Sequence, residues 1–193
     1  MEVKLKRKQT QLQLNALKSQ LSPHFLFNSM NTLSSLFQKD TQKAESFIRS
    51  LASSYEYVLN KYESPLVTVS EELEFVEAYC FLMRTRFGEY LNLSVALNSD
   101  ILQTKVPPLT LQMLVENAVK HNEISETNPL TVKIFTEGGS IHVQNILRPR
   151  STLAEGTKNG LQNLEKRYSL LRKQKIKVNQ DNGVFSVELP LKE

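Results

Sequence analysis

Residues 1–62 contain no glycine and one proline, Pro23, and this stretch limits the front of the chain to helix. Apolar residues recur there at helical spacing. Leu14, Leu17, Leu21, Phe25 and Leu36 form one stripe, and Leu12, Leu26, Met30, Leu33 and Phe37 a second. Two stripes on one helix mean burial on two sides, as in a multi-helix bundle. A second helix is expected over residues 41–62, with one stripe through Ala44, Phe47, Ile48, Leu51, Tyr55, Val58 and Tyr62. Two helices alone bury little surface, so the pair is expected to dimerise into four.

Ser64-Pro65 ends that regime, and the domain boundary is expected there, between residues 1–63 and 64–193. Beyond it, helix and strand alternate. Residues 70–87 open on Ser-Glu-Glu, a capping signal, and place Leu73, Val76, Cys80, Met83 and Phe87 on one face. Leu91, Leu93, Val95 and Leu97 alternate as a strand does. Pro107-Pro108 reads as the first turn of a helix reaching about Asn122. Residues 130–135 and 140–144 read as strands joined through Gly138-Gly139, 146–159 as a polar loop, and 160–172 as a helix. The last two strands, 175–180 and 184–189, flank Asp181-Asn182-Gly183, a strong turn signal. The predicted fold class is α+β: a helical hairpin forming a dimeric four-helix bundle, then a mixed α/β sandwich.

Composition narrows the function classes. No window approaches the roughly 18 apolar residues of a membrane span. The basic start (Lys4, Lys6, Arg7, Lys8) runs into a glutamine-rich stretch rather than an apolar core, so no signal peptide is expected. One cysteine, Cys80, excludes an internal disulfide and a cysteine cluster for zinc, and a reducing, cytoplasmic compartment is expected. The net charge of +4 comes from basic residues dispersed among acids. That pattern does not call for a nucleic-acid partner; a nucleotide or an acidic protein suits it equally.

Three segments carry chemistry. In Ser22-Pro23-His24-Phe25-Leu26-Phe27-Asn28, a helix places His24, Asn28, Asn31 and Ser35 on one polar strip. Asn28 is placed to hydrogen-bond the imidazole and fix which nitrogen is free, and an exposed imidazole is a competent nucleophile for phosphorus. The same spacing suits a packed or capping histidine beside two ordinary asparagines. In Glu116-Asn117-Ala118-Val119-Lys120-His121-Asn122, Leu111, Leu114, Val115 and Ala118 share the buried face, while Glu116, Asn117 and Lys120 point away, flanked by His121. An oxygen ligand for Mg²⁺ beside an ammonium suits polyphosphate; so does an ordinary solvated helix face. In Gly156-Thr157-Lys158-Asn159-Gly160-Leu161, glycines run into a helix start and offer free amides to an anion, although such glycines also serve capping. His142 alternates with Ile141 and Val143, should face away from the apolar side, and is assigned no function.

The order PHFLFN, then PPLTLQMLVENAVKHN, then GLQNLEKRY resembles the LytS-type sensor histidine kinases over roughly Leu14 to Pro190. Glu71–Glu72 and Tyr79…Arg86-Phe87 are similar to that family's stretch between its two domains. The resemblance implies an ATP-binding half of the GHKL type, shared with gyrase, the Hsp90 chaperones and the mismatch-repair ATPases. It implies that His24 accepts the γ-phosphoryl group of ATP, with catalytic Glu116 near the phosphates, and passes it to an aspartate on a response regulator of the LytTR type; Asn28, four residues on, is the expected partner of the imidazole. Asn117 would hold Mg²⁺, with Lys120 and His121 near the phosphates, and Lys158, Gly160 and Leu161 at the lid end of the pocket. A homodimer is implied, on the cytoplasmic side of a membrane and reached through a sensor segment preceding the basic stretch.

The sequence departs from the family at three places. Val143-Gln144-Asn145-Ile146-Leu147-Arg148 stands where D-x-G-x-G is usual, leaving Asn145 to meet the adenine amino group. Lys158-Asn159-Gly160 stands for G-x-G, and Phe25 follows the histidine where an acid is common. Besides an active kinase, two readings stay open: a kinase-inactive scaffold of the same fold, and a GHKL-type ATPase in which Glu116 activates water.

Overall fold

The computed structural model describes residues 23–61, 64–150 and 158–191, with side chains from Leu26 onward in the first helix and from Gly160 onward in the last. Leu12, Leu14, Leu17, Leu21 and Tyr62 of the expected stripes, and residues 151–157 of the expected loop 146–159, lie outside the described residues. The chain divides into two compact units, one ending at Leu51 and the other beginning at Ala52.

The first unit holds α1 (Pro23–Lys39) and the start of α2 (Thr41–Lys61). Asp40 alone joins them. Its amide closes on the Leu36 carbonyl at 2.7 Å, and its carboxylate accepts the Lys43 amide at 3.0 Å, capping α2. The buried line along α2 is Ala44, Phe47, Leu51, Ser54 and Val58. That spacing of three and four is a narrow seam, so Ile48, expected in the stripe, flanks it and stays exposed. On α1, Leu26, Met30 and Phe37 of the second stripe are exposed, as is Phe27 at 71%.

The second unit contains the end of α2, then β1 (Val67–Thr68), α3 (Val69–Phe87), β2 (Leu91–Ala96), β3 (Lys105–Val106) and α4 (Thr110–His121). β4 (Leu130–Glu137), β5 (Ser140–Ile146), α5 (Lys158–Arg172), β6 (Lys177–Asp181) and β7 (Val184–Pro190) complete it. The main sheet has the order β2-β4-β5-β7-β6, with β2 parallel to β4 and the other neighbours antiparallel. β1 and β3 form a small antiparallel pair, too short for a sequence pattern to signal. Both predicted hairpins are present. Gly138-Gly139 and Asn182-Gly183 all take positive φ, as two-residue turns between twisted strands require.

Leu130, Val132 and Ile134 of β4, Ile141 and Val143 of β5, and Val187 and Leu189 of β7 line the buried face, against which α4 packs. On the outer face His142 stacks on Phe135, ring centroids 5.3 Å apart, so it does face away from the core. Lys177 pairs with Glu188 at 2.9 Å on the same face, and every residue of the edge strand β6 is exposed.

Two expectations need correction. α3 is capped by Thr68: its hydroxyl accepts the Glu71 amide, and the Glu71 carboxylate accepts the Thr68 amide at 2.8 Å. The buried face of α3 is Val69, Glu72, Phe75, Val76, Tyr79, Cys80 and Leu82, whereas Leu73, Met83 and Phe87 are only half-buried. The face turns because its fully buried member near the start is a carboxylate, which counting apolar residues passes over. Pro107-Pro108 also precedes α4 rather than opening it. Leu109 takes a left-handed φ of 66°, and the helix starts at Thr110.

Candidate functional site

α4 is held by its apolar side. Leu111, Leu114, Val115, Ala118 and Val119 are buried, which turns Glu116 and Lys120 to solvent and leaves Asn117 and His121 half-buried. Gln112 donates to the Glu116 carboxylate at 2.5 Å, one turn back along the helix. Burial, then the neighbouring Lys120 and Arg150 charges, hold the His121 imidazole below its usual proton affinity.

The start of α5 lies against this surface. A Cβ placed on Gly160 would stand 3.9 Å from Asn117 Oδ1 and 3.9 Å from Met113 Cε. The expected lid glycine and the expected Mg²⁺ ligand are therefore neighbours. Lys158 begins α5 with its side chain outside the described residues, and Leu161 is half-buried. Much of GLQNLEKRY serves packing: Leu164 and Tyr168 are fully buried, and the Tyr168 hydroxyl donates to the Pro190 carbonyl at 2.7 Å.

Asn145 is buried on the apolar face of β5, in register with Val132 and Phe185. Its amide nitrogen donates to the Ile146 carbonyl at 2.9 Å. The chain leaving β5 is then strapped to the end of α4 by Asn122 and two arginines. Buried Asn122 donates to the Ala118 carbonyl at 2.8 Å, and its Oδ1 accepts the Arg148 amide at 2.6 Å. Arg150 donates to the carbonyls of Asn122 at 2.8 Å and Val119 at 3.3 Å, placing a cation at the negative end of α4. Sequence reasoning missed Asn122 and Arg150 as determinants of the site. The one signal in the sequence was the second asparagine, which closes VENAVKHN.

Glu72 was also missed as a building element. It is 0% exposed, and it accepts the Leu109 amide at 2.6 Å, the Leu111 amide at 2.8 Å and the Tyr57 hydroxyl at 2.6 Å. These amides open α4, whose N-terminal residue makes no side-chain cap of its own. Arg167 of α5 donates to the Pro108 carbonyl at 2.8 Å beside them.

His24 and Asn28 belong to the first unit. The His24 backbone is helical in α1 and its side chain lies outside the described residues; Asn28 is half-buried, with Asn31 and Ser35 exposed on the same strip.

The family model described as histidine kinase matches residues 12–91. The sensor histidine kinase BtsS of Escherichia coli K12 is 33% identical over 131 residues, 67% of this chain and 23% of that protein. The sensor protein LytS of Enterococcus faecalis is 30% identical over 175 residues, 82% of this chain and 30% of that protein. The chain belongs to the LytS-type histidine kinase family. It spans less than a third of the length of these relatives.

Among solved structures, the cytoplasmic segment of histidine kinase QseC superposes with a TM-score of 0.48 at 14% identity, covering 66% of this chain and 77% of that one. The matched histidine kinase segment runs from before α1 to the start of β2, so it includes His24, Tyr57 and Glu72; the α4–α5 surface lies beyond it. No helix among the described residues is long and apolar enough to cross a membrane.

Proposed function

We propose that this chain is the phosphotransfer core of a sensor histidine kinase in a two-component system. The observation that carries the reading is the closeness of Gly160, at the head of α5, to Asn117 Oδ1 on α4. It brings the described head of α5 against an oxygen ligand on α4, an arrangement that suits binding of a nucleotide polyphosphate.

His24 is the acceptor. An imidazole nitrogen bonds to the γ-phosphorus as the bond from phosphorus to the β–γ bridging oxygen breaks; ADP leaves with that oxygen and its electron pair, and the imidazole N–H proton goes to solvent. The phosphoryl group then passes to a response-regulator aspartate, of the LytTR class by family resemblance. Little covalent help is required, so placement and charge decide the rate. Lys120 supplies positive charge, and Lys158 a second one at the lid. His121, held neutral near pH 7, serves as a hydrogen-bonding partner rather than a cation. Asn145 commits its amide nitrogen to the Ile146 carbonyl, which leaves Oδ1 as acceptor for the adenine amino group.

Asn117 is the residue that would hold Mg²⁺, which would supply neutralisation of phosphate charge. The donor fits: half-buried Asn117 presents Oδ1, a hard oxygen, toward the head of α5, which suits an ion taking its other ligands from phosphate and water. Leu26, Met30 and Phe37 on α1 are the surface through which a homodimer would form. Attachment to a sensor upstream places the core at the cytoplasmic face of a membrane, without direct nucleic-acid contact.

The test is incubation with γ-labelled ATP and Mg²⁺, followed by peptide mapping under alkaline conditions that preserve phosphohistidine. Wild type is expected to carry acid-labile label on His24, and His24→Gln none. Label persisting in His24→Gln removes His24 as acceptor. Bound ATP without label points to a scaffold, and free phosphate without label to an ATPase.

A further inference from the structure

Glu72 lies wholly inside the second unit, and its carboxylate oxygens accept three hydrogen bonds. Burial, the largest influence, pushes the Glu72 carboxyl up, while the Tyr57 hydroxyl, the Leu111 and Leu109 amides and the Arg167 charge act the other way. The partners decide the arrangement: three donors with no acceptor are satisfied by the ionised form, which also faces the positive end of α4. Pro107 and Pro108 lack an N–H, and Leu109, the capping residue, has no oxygen in its side chain. The start of α4 thus depends on a side chain from α3.

That side chain is itself held from α2. Tyr57 donates to Glu72 at 2.6 Å, and its ring stacks on Phe75, one turn along α3, with centroids 4.7 Å apart and planes 15° apart. α2 is one unbroken helix from Thr41 to Lys61. Its last turns therefore reach, through one carboxylate, the first turn of the helix that carries Glu116 and Asn117.

We propose that Tyr57 and Glu72 are positioning residues, whose hydrogen bond makes the placement of α4, and with it Asn117, depend on the last turns of α2. The inference rests on the nucleotide role proposed for α4. It gives the stretch between the two helical motifs a mechanical role, because a shift or rotation of α2 at Tyr57 moves the carboxylate, and the carboxylate moves the amides of Leu109 and Leu111. Glu72 touches no substrate in this scheme and acts only through α4.

The experiment uses the full chain as wild type, Tyr57→Phe, Glu72→Gln and the double variant. Mg-ADP affinity is measured by calorimetry, thermal midpoint without nucleotide, and exchange of the amides at residues 109–111 by hydrogen–deuterium exchange. Tyr57→Phe keeps the ring stack, so it remains informative should Glu72→Gln fold poorly. It is expected to weaken Mg-ADP binding by about threefold to tenfold, the scale of one hydrogen bond, and to speed exchange at Leu109 and Leu111. Glu72→Gln should lose at least as much affinity, and the double variant no more than Glu72→Gln, because both act through one carboxylate. Tyr57→Phe with a lowered midpoint but wild-type affinity and exchange overturns the proposal, as do fully additive losses. If wild type binds no Mg-ADP, the nucleotide reading fails. The exchange arm then decides the coupling separately: unchanged amides in Tyr57→Phe exclude it, and faster ones keep it.

Discussion

Lys61 Nζ and the Glu71 carboxylate meet at 2.6 Å where α2 ends and α3 begins. The same carboxylate serves the Thr68 cap, so one glutamate both caps α3 and pairs with the last residue of α2. The Lys61 ammonium, then the Thr68 amide, hold the Glu71 carboxyl down at about 2. A carboxyl lowered in the folded state stabilises above its unfolded value of 4.5 and loses that contribution as pH falls toward 2. Both side chains are about a third exposed, so solvent screening limits the pair to about 0.5–1 kcal/mol. Urea midpoints of wild type and Lys61→Met should differ at neutral pH and converge toward about pH 2.5. A gap that persists unchanged in acid would show that the ion pair is not its source.

Gly160 sets the second prediction. Contacts of 3.9 Å leave room for one methyl group, so Gly160→Ala should bind Mg-ATP as wild type does. It should also gain up to about 1 kcal/mol from helix propensity. Gly160→Val adds branches that meet Asn117 and Met113, and affinity should fall about tenfold. Asn117→Asp should bind better than Asn117→Ala, because an oxygen ligand survives. Calorimetry checks all four; equal affinity across them would separate this surface from nucleotide binding.

Arg150 is expected to stabilise α4 from its far end. Arg150→Met removes two charge-assisted bonds to the Asn122 and Val119 carbonyls and should cost about 1–2 kcal/mol in urea unfolding. Arg150→Lys should recover only part, since a single ammonium does not reproduce the planar guanidinium fork. Full recovery by lysine would reduce the role of Arg150 to charge alone.

Association is expected to run through α1. Met30→Glu with Phe37→Glu places charge on exposed apolar positions, so helix content should hold while sedimentation shifts from dimer toward monomer. A wild-type chain that sediments as a monomer at about 10 μM, well above a micromolar dissociation constant, would remove the dimer reading.

Elements with a strong period or a strong turn were legible in the sequence: α2, the buried face of α4, and both hairpins with their Asn-Gly and Gly-Gly turns. The proximity of Gly160 to Asn117 followed from motif order only through resemblance, since 43 residues separate them in the sequence. What escaped were polar groups acting from inside. Glu72 sits at helical spacing with Val76 and Tyr79, and a carboxylate there reads as a break in the pattern until its three donors are seen. Arg150 reads as a loop charge because its partners, the Asn122 and Val119 carbonyls, leave no mark in a sequence, and Arg148 because it bonds the Thr127 carbonyl and the Asn128 side chain about 20 residues away.

The outer strand β6 has one further consequence. Its residues Lys177, Val178, Asn179, Gln180 and Asp181 are all exposed, with a charge at each end. A strand edge is a template on which another chain can build, and charged ends discourage such growth. Substituting Lys177 and Asp181 by valine should leave the fold intact yet turn a well-behaved preparation into one that deposits fibrous material on storage, since the safeguard lies in the chemistry of the rim and not in the stability of the core.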